Sequence, residues 1–213
     1  EFQEDTLIFR AFYNTRTNTS DLIAHQLNED GSVEEPKWNS ATAMNAQSAA
    51  SRQIITYDPV AGVGVPFLTA NLNSDQQSAL ASNSISPDLD EVTDRVNYLR
   101  GDPALERPVG NFRERPTTDG KLGDIVHSTP VFVGIPNQAN REGGLFPSGV
   151  NAYANYRKEQ AANSILANSK RKDVIYVTAN DGMLHGFDAG DGNGIELFGY
   201  VPNNLMQNRF SRN

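Results

Sequence analysis

No cysteine occurs among the 213 residues, so neither a disulfide framework nor a thiolate zinc site holds this chain together. Stability has to come from packing, or from metal bound through oxygen. Nowhere do about 18 apolar residues run together, and a helical membrane span is therefore not expected. Positive charge is also short, with 18 Lys and Arg against 26 Asp and Glu and a net charge of −8. A field of that sign repels a phosphate backbone, which argues against a nucleic acid partner. Apolar residues reach only 38%, while 17 Gly and 11 Pro are spread along the whole length. Such a composition reads as a loop-rich globular β protein. The opening Glu1-Phe2-Gln3-Glu4 has no initiator Met, basic n-region or apolar h-region, as expected of a chain processed or excised from something longer.

Leu7 to Tyr13 and Leu22 to Leu27 read as strands, the second running into Asn28-Glu29-Asp30-Gly31-Ser32, whose Asp-Gly suits a tight hairpin turn. Trp38, the single tryptophan, follows that turn and is expected to plug the core. Arg52 to Tyr57 makes another short strand, stopped at Asp58-Pro59. Two helices follow. The first spans about Ser74 to Ser82 with Asn73 or Ser74 as N-cap. The second has Ser86 as cap, Pro87 in its first turn, Leu89, Val92, Val96 and Leu99 on one face, and Gly101 as its stop. Residues 101–122 are a polar connector rich in Pro and Arg. A strand is expected from Ile125 to Val133, at an innermost or edge position because Pro130 cannot donate to a ladder. Residues 135–172 read as an insertion carrying a helix over Tyr153 to Ala167 and ending in Lys170-Arg171-Lys172, a solvated helix terminus.

The most informative stretch is 174–201. Val174 to Ala179, Met183 to Asp188 and Ile195 to Val201 are apolar strands joined by Asn180-Asp181-Gly182 and by Gly190-Asp191-Gly192-Asn193-Gly194. Connections this short permit only antiparallel neighbours. With 125–133 they make a four-stranded antiparallel unit that cannot bury both of its faces alone, so its apolar faces are expected to stack on similar sheets. Gly186 and Gly199 suit close sheet contact. The expected fold is mainly β: a partial β-propeller of four-stranded antiparallel blades with short helical insertions. Within this one propeller fragment, 1–100 supplies the first blade strands plus helices, and 123–202 forms a blade around the insertion.

The string Gly-Asp-Ile-Val-His-Ser-Thr-Pro-Val-Phe-Val-Gly at 123–134, then Val-Ile-Tyr-Val-Thr-Ala-Asn-Asp-Gly-Met-Leu-His-Gly-Phe-Asp-Ala at 174–189, resembles the PilY/PilC family of type IV pilus tip-associated adhesins. Phe198 to Asn203, Arg52 to Tyr57, Gly64 to Phe67 and Val96 to Asp102 extend the likeness in the same order. The resemblance implies a longer secreted protein of a Gram-negative bacterium, at the pilus tip or outer cell surface. In such a protein a variable adhesive region precedes a propeller needed for pilus biogenesis, attachment and twitching motility. Its partners would be minor pilins or the pilus tip, a host or abiotic surface, and the remaining propeller blades. The family binds calcium through an Asp- and Asn-rich loop, a stretch that this chain does not include.

No catalytic constellation stands out, and a non-enzyme is expected. Asp188, Asp191, Asn193 and Glu196 are weak candidates for a metal because Gly190 and Gly192 interrupt the alternation that a calcium loop requires, so a solvated turn is the simpler reading. His127 and His185, near Asp124 and Asp181, have acid–base capability but no accompanying nucleophile motif, and both are read as hydrogen-bonded packing residues. Ser128-Thr129 lacks a nucleophile elbow and is read as a side-chain cap of backbone. The alternatives are a quinoprotein-like dehydrogenase propeller and an outer-membrane assembly scaffold. One Trp and no Cys disfavour the first, and irregular repetition disfavours the second.

Overall fold

A computed structural model describes residues 6–16, 19–81, 85–116, 121–134, 172–190 and 193–208. The helix expected over 153–167, together with Lys170 and Arg171, lies outside these residues. The fold is mainly β and has two sheets. β1 (Thr6–Asn14), β2 (Thr19–Leu27) and β3 (Val33–Asn39) form an antiparallel meander. Its second turn is the expected one, with Gly31 at φ 83° and Asn28 and Ser32 bonded across it. Leu22 and Ala24 of β2 and Trp38 of β3 point into the core.

The second sheet has six strands: β4 (Ile54–Asp58), β5 (Val63–Pro66), β6 (Val131–Val133), β7 (Val174–Thr178), β8 (Leu184–Asp188) and β9 (Glu196–Val201), in the order β5-β4-β9-β8-β7-β6. β6, β7, β8 and β9 are antiparallel neighbours throughout, the four-stranded unit expected of a blade. Two features differ from expectation. The strand read over 125–133 shrinks to three residues at the sheet edge, because Pro130 has no N–H to give and the residues before it bond elsewhere. Ile125 donates its N–H to Ser20 Oγ at 2.7 Å, and Asp124 accepts from the Asn180 N–H at 2.9 Å. In addition, the β4–β5 hairpin, from the stretch read as a first blade, pairs in parallel with β9. That pairing joins sequence neighbourhoods some 145 residues apart, as in the 2.8 Å bond from Thr56 Oγ1 to the Val201 carbonyl.

Four α-helices lie among the described residues. α1 (Ser40–Ala46) follows β3 directly, with Asn39 accepting from the Thr42 N–H. α2 (Ser74–Leu80) has Asn73 and Gln76 in a reciprocal capping box. α3 (Leu89–Leu99) starts two residues later than expected: Asp88, not Ser86, caps it, and Pro87 precedes the helix. Gly101 at φ 102° ends it, a conformation that favours glycine. α4 (Asn203–Asn208) follows β9.

One face of the six-stranded sheet is covered by two apolar clusters. The first joins Leu22, Trp38 and Met44 to Leu122, Ile125, Ile175, Val177 and Phe187. The second joins Ile54, Met183 and Val201 to Phe67, Val92, Val96 and Met206 from the helical side. The opposite face is only partly covered by the described residues. The registers align Ile55 with Tyr200, Tyr200 with Leu184, Phe198 with Gly186, Gly186 with Tyr176, and Tyr176 with Val131 on that side. Gly186 is overlain by the Phe198 ring, where a Cβ would come to 2.6 Å of Cε1. The glycine thus admits a ring from the neighbouring strand and not a second sheet.

Candidate functional site

At the seam between the two clusters lies a chain of buried charged groups. β8 sends His185 and Phe187 to the core side, where their rings stack with centroids 5.8 Å apart. His185 pairs with Gly199, whose missing side chain leaves room for the Glu196 carboxylate, 3.4 Å from where a Cβ would stand. A register shift at Gly186/Phe187 turns Glu196 to the same side. His185 is fully buried, and both ring nitrogens meet carboxylates: Nδ1 is 2.7 Å from Glu196 Oε1, and Nε2 is 3.0 Å from Asp181 Oδ2. Asp181, in the turn before β8, also accepts the N–H groups of Met183 and Gly123.

Glu196 receives a two-pronged guanidinium from Arg52, with Nε to Oε2 at 2.6 Å and Nη2 to Oε1 at 2.8 Å. Arg52 Nη1 donates to the Arg100 carbonyl at 2.8 Å, and Arg100 in turn donates to the carbonyls of Arg52, Ala49 and Phe67. Lys121 reaches the carbonyls of Met44 and Gln47. Nearby, Arg115 pairs with Glu106 at 2.6 Å, and its guanidinium lies 4.2 Å over the Tyr98 ring.

Electrostatics keep this network ionised. Burial alone would push the His185 imidazolium toward its neutral form, but the Asp181 and Glu196 carboxylates reverse that and raise its pKa to about 9. Burial likewise opposes the charge on Glu196, and the hydrogen bonds from Arg52 and His185 hold its pKa down at about 2. Asp181 is lowered too, burial being outweighed by His185. Arg52 and His185 thus face Glu196 and Asp181, while Arg100 and Lys121 rest on backbone carbonyls. An imidazolium that donates from both nitrogens has no lone pair for a proton or a metal, so the arrangement suits clamping and not acid–base turnover.

The residues singled out from the sequence divide clearly. His185 is the hydrogen-bonded packing residue expected, whereas His127 is exposed and outside the core, a correction that follows from the loss of strand at 123–130. Ser128 Oγ accepts from the Thr178 N–H at 3.0 Å, a side-chain cap of backbone. Of the four weak metal candidates, Asp191 lies outside the described residues. Asn193 takes a left-handed turn at φ 52°. Asp188 spends one oxygen on Lys172 at 2.9 Å and the other on the Gly190 N–H. Glu196 is saturated by Arg52 and His185. These carboxylates are already neutralised by protein cations and do not fit a calcium ion, and among the described residues no group of three or more His, Asp or Glu gathers as a metal site. Arg52, Arg100, Glu106 and Arg115 carried no role in the sequence reading. Arg52 and Arg100 do, however, fall inside two of the family-like islands, at 52–57 and 96–102.

Those islands extend over nearly the whole chain. Over 199 residues, 93% of its length, the chain is 36% identical to a protein of Xylella fastidiosa described as a type IV pilus biogenesis factor PilY1 homolog. Over 211 residues, 92% of its length, it is 31% identical to the type IV pilus biogenesis factor PilY1 of Pseudomonas aeruginosa. The chain belongs to the PilY1 family. It spans only about a sixth of these relatives, 14% of the first and 16% of the second. No protein-family model matches it, and no solved structure does. The matched PilY1 segment takes in more than nine-tenths of the chain. No helix among the described residues is long and apolar enough to cross a membrane.

Proposed function

We propose that this chain is a non-catalytic, load-carrying segment of a PilY1-type protein at the pilus or outer cell surface, supporting type IV pilus biogenesis and, through it, surface adhesion and twitching. The observation that carries this reading is the match to pilus biogenesis factors, at 31–36% identity over more than nine-tenths of the chain. The closed charge network supports it, because the most polar buried site is built to hold segments together. Minor pilins are the partners this role calls for. Calcium, where the family uses it, belongs to residues beyond 1–213.

The open sheet face gives the remaining blades of the propeller a place to dock. Tyr176 and Phe198 meet edge to face at 6.0 Å on that side, and Ile55, Tyr57 and Val131 are 41%, 42% and 56% exposed. Aromatic side chains of this size bury about 150–250 Å² each when covered. Phe187, on the other face of the sheet, is fully buried within the chain.

The test replaces the chromosomal copy in the source bacterium with one encoding Arg52→Met in the parent protein. Sheared surface pili and twitching zones are then measured alongside the amount of parent protein at the surface. Both are expected to fall with that amount. Normal piliation in a strain lacking the protein altogether would overturn the reading, as would a bound quinone found by mass spectrometry together with substrate turnover.

A further inference from the structure

Among the described residues the two sheets end in four edges, formed by β1, β3, β5 and β6, and three of them are blunted. β6 is three residues long and follows Pro130, and β5 is four residues long and ends at Pro66. β3 carries Pro36 and the charges Glu34, Glu35 and Lys37, and its register against β2 shifts twice. Its far end is held where the Trp38 ring lies on the Gly194 backbone. Short length, proline, charge and irregular register are the devices that stop an edge from pairing with another strand.

β1 lacks these devices. Its nine residues contain no Gly or Pro and a single charge, Arg10, and all nine pair with β2 in unbroken register. At about 3.4 Å per residue, its outer side offers roughly 30 Å of extended backbone. A second observation lies on the core side of the same edge. Phe9 is only partly buried where it packs against the first apolar cluster, and it stacks on Phe132 with centroids 5.8 Å apart and planes at 12°. The register sets Phe132 beside Ile175, which is 1% exposed, yet Phe132 itself is 52% exposed. The cluster therefore runs out at the end where β1 lies over β6, with an aromatic pair half covered.

From the unblunted edge and the unfinished cluster beside it, we infer that β1 takes a further strand from the parent polypeptide outside residues 1–213, apolar at alternate positions on the side that faces Phe9 and Phe132. β6 to β9 set a pattern of four antiparallel strands, and the β1-β2-β3 meander is one strand short of it. Within 1–213 the stretches that are not described are at most five residues long, except 135–171, whose sequence carries no alternating run of β-branched or aromatic residues. The chain amounts to 14–16% of the length of its relatives, so most of the parent polypeptide is available to supply the strand. A second copy is a poorer occupant. Arg10 is the middle residue of β1, and antiparallel pairing of β1 with itself over its full length sets Arg10 against Arg10, a like-charge pair directly opposite. Main-chain hydrogen bonds along β1 hold the added strand, and its alternate apolar side chains fit it to the cluster.

The test is residue-resolved amide hydrogen exchange on the intact parent protein, together with a photo-crosslinking benzoylphenylalanine in place of Phe12, which is 55% exposed. On an open edge strand every second amide faces solvent and exchanges fast. With the strand added, the amides from Ile8 to Tyr13 are all expected to exchange at least about a hundredfold more slowly than in an unstructured chain. The crosslink is expected to join β1 to a parent peptide outside 1–213. Alternating fast amides from Ile8 to Tyr13 would overturn the inference. So would crosslinks that land only in 135–171, in a second copy or in another protein. Neither readout involves pili, so failure here is distinct from failure of the pilus reading.

Discussion

The two faces of the six-stranded sheet are built from the same strands and yet are finished to different degrees. On the covered face, His185, Phe187, Ile175 and Val177 are at most 1% exposed, and Arg52 and His185 are each paired with a carboxylate. On the other face Tyr176, Phe198 and Tyr200 are only partly covered, and Ile55 and Val131 stand largely in solvent. The difference shows what each face is for. The covered face fixes one arrangement of distant segments within the chain, whereas the open face has apolar surface to offer and, among the described residues, no partner that covers it fully.

Breaking the covered face should have the largest effect. Arg52→Met leaves Glu196 buried with one cation fewer, and removing one member of a buried pair costs about 3–5 kcal/mol. Chemical denaturation of the parent protein should show the loss in the unfolding transition of this region. A change under about 1 kcal/mol would mean that the clamp contributes little. Phe187→Ala should cost a similar amount, about 3–5 kcal/mol, because the cavity it leaves lies at the centre of the first cluster.

Acidity offers a way to weaken the same face without mutation. The His185 pKa is raised, so its contribution is fully present below the ordinary histidine value of 6.5 and is lost as the pH climbs through about 9. The Glu196 pKa is depressed, so its contribution is present above 4.5 and is lost as the pH falls through about 2; Asp181 works in the same direction. Melting temperature is therefore expected to be flat between about pH 4.5 and 6.5 with respect to these groups. Above that window it should decline, and the decline should be absent in His185→Gln, whose deficit against the wild type shrinks over the same range. A wild-type profile identical in slope to that variant from pH 7 to 10 would show that His185 is uncharged.

Changes to the open face should sharpen the contrast by doing less within the chain and more between segments. Residues 1–213 alone are expected to self-associate through this face and through unpaired strand edges, whereas a polypeptide continued through the remaining blades is soluble and cooperative. Size-exclusion chromatography with thermal melts on both decides this, and a monomeric 213-residue chain with one sharp transition would mean that the face needs no partner. The smallest effect is expected of Ile55→Thr. At 41% exposure it should shift the stability of the isolated chain by no more than about 0.5 kcal/mol while reducing self-association.

Much of this fold is legible in local pattern. The alternation and Gly-containing turns of 174–201 give β7, β8 and β9 within a residue or two, and the 3.6-residue spacing of Val92, Val96 and Leu99 gives α3. α1 escapes such a reading because seven residues of Ser, Ala, Thr, Met and Asn carry no stripe, and its only clear signal is the Asn39 cap. β5 escapes because a four-residue Val-Gly-Val-Pro run has no period to measure. The site is harder still. His185 and Glu196 are visible as individual residues, but nothing in the chain announces that Arg52, 144 positions from Glu196, is their partner.

The sequence by itself determined that this protein is a cysteine-free, acidic, mainly β chain, that four of its strands are antiparallel neighbours, and that it resembles a pilus-associated family, since composition, period and motif are all local properties. Only the tertiary structure decided that β4 joins β9 in parallel, that Trp38 closes on Gly194, and that one arginine, one histidine and two carboxylates meet in the core. Those contacts depend on which distant backbones come within about 3 Å of each other, and hydrogen bonds and ion pairs act only at that range.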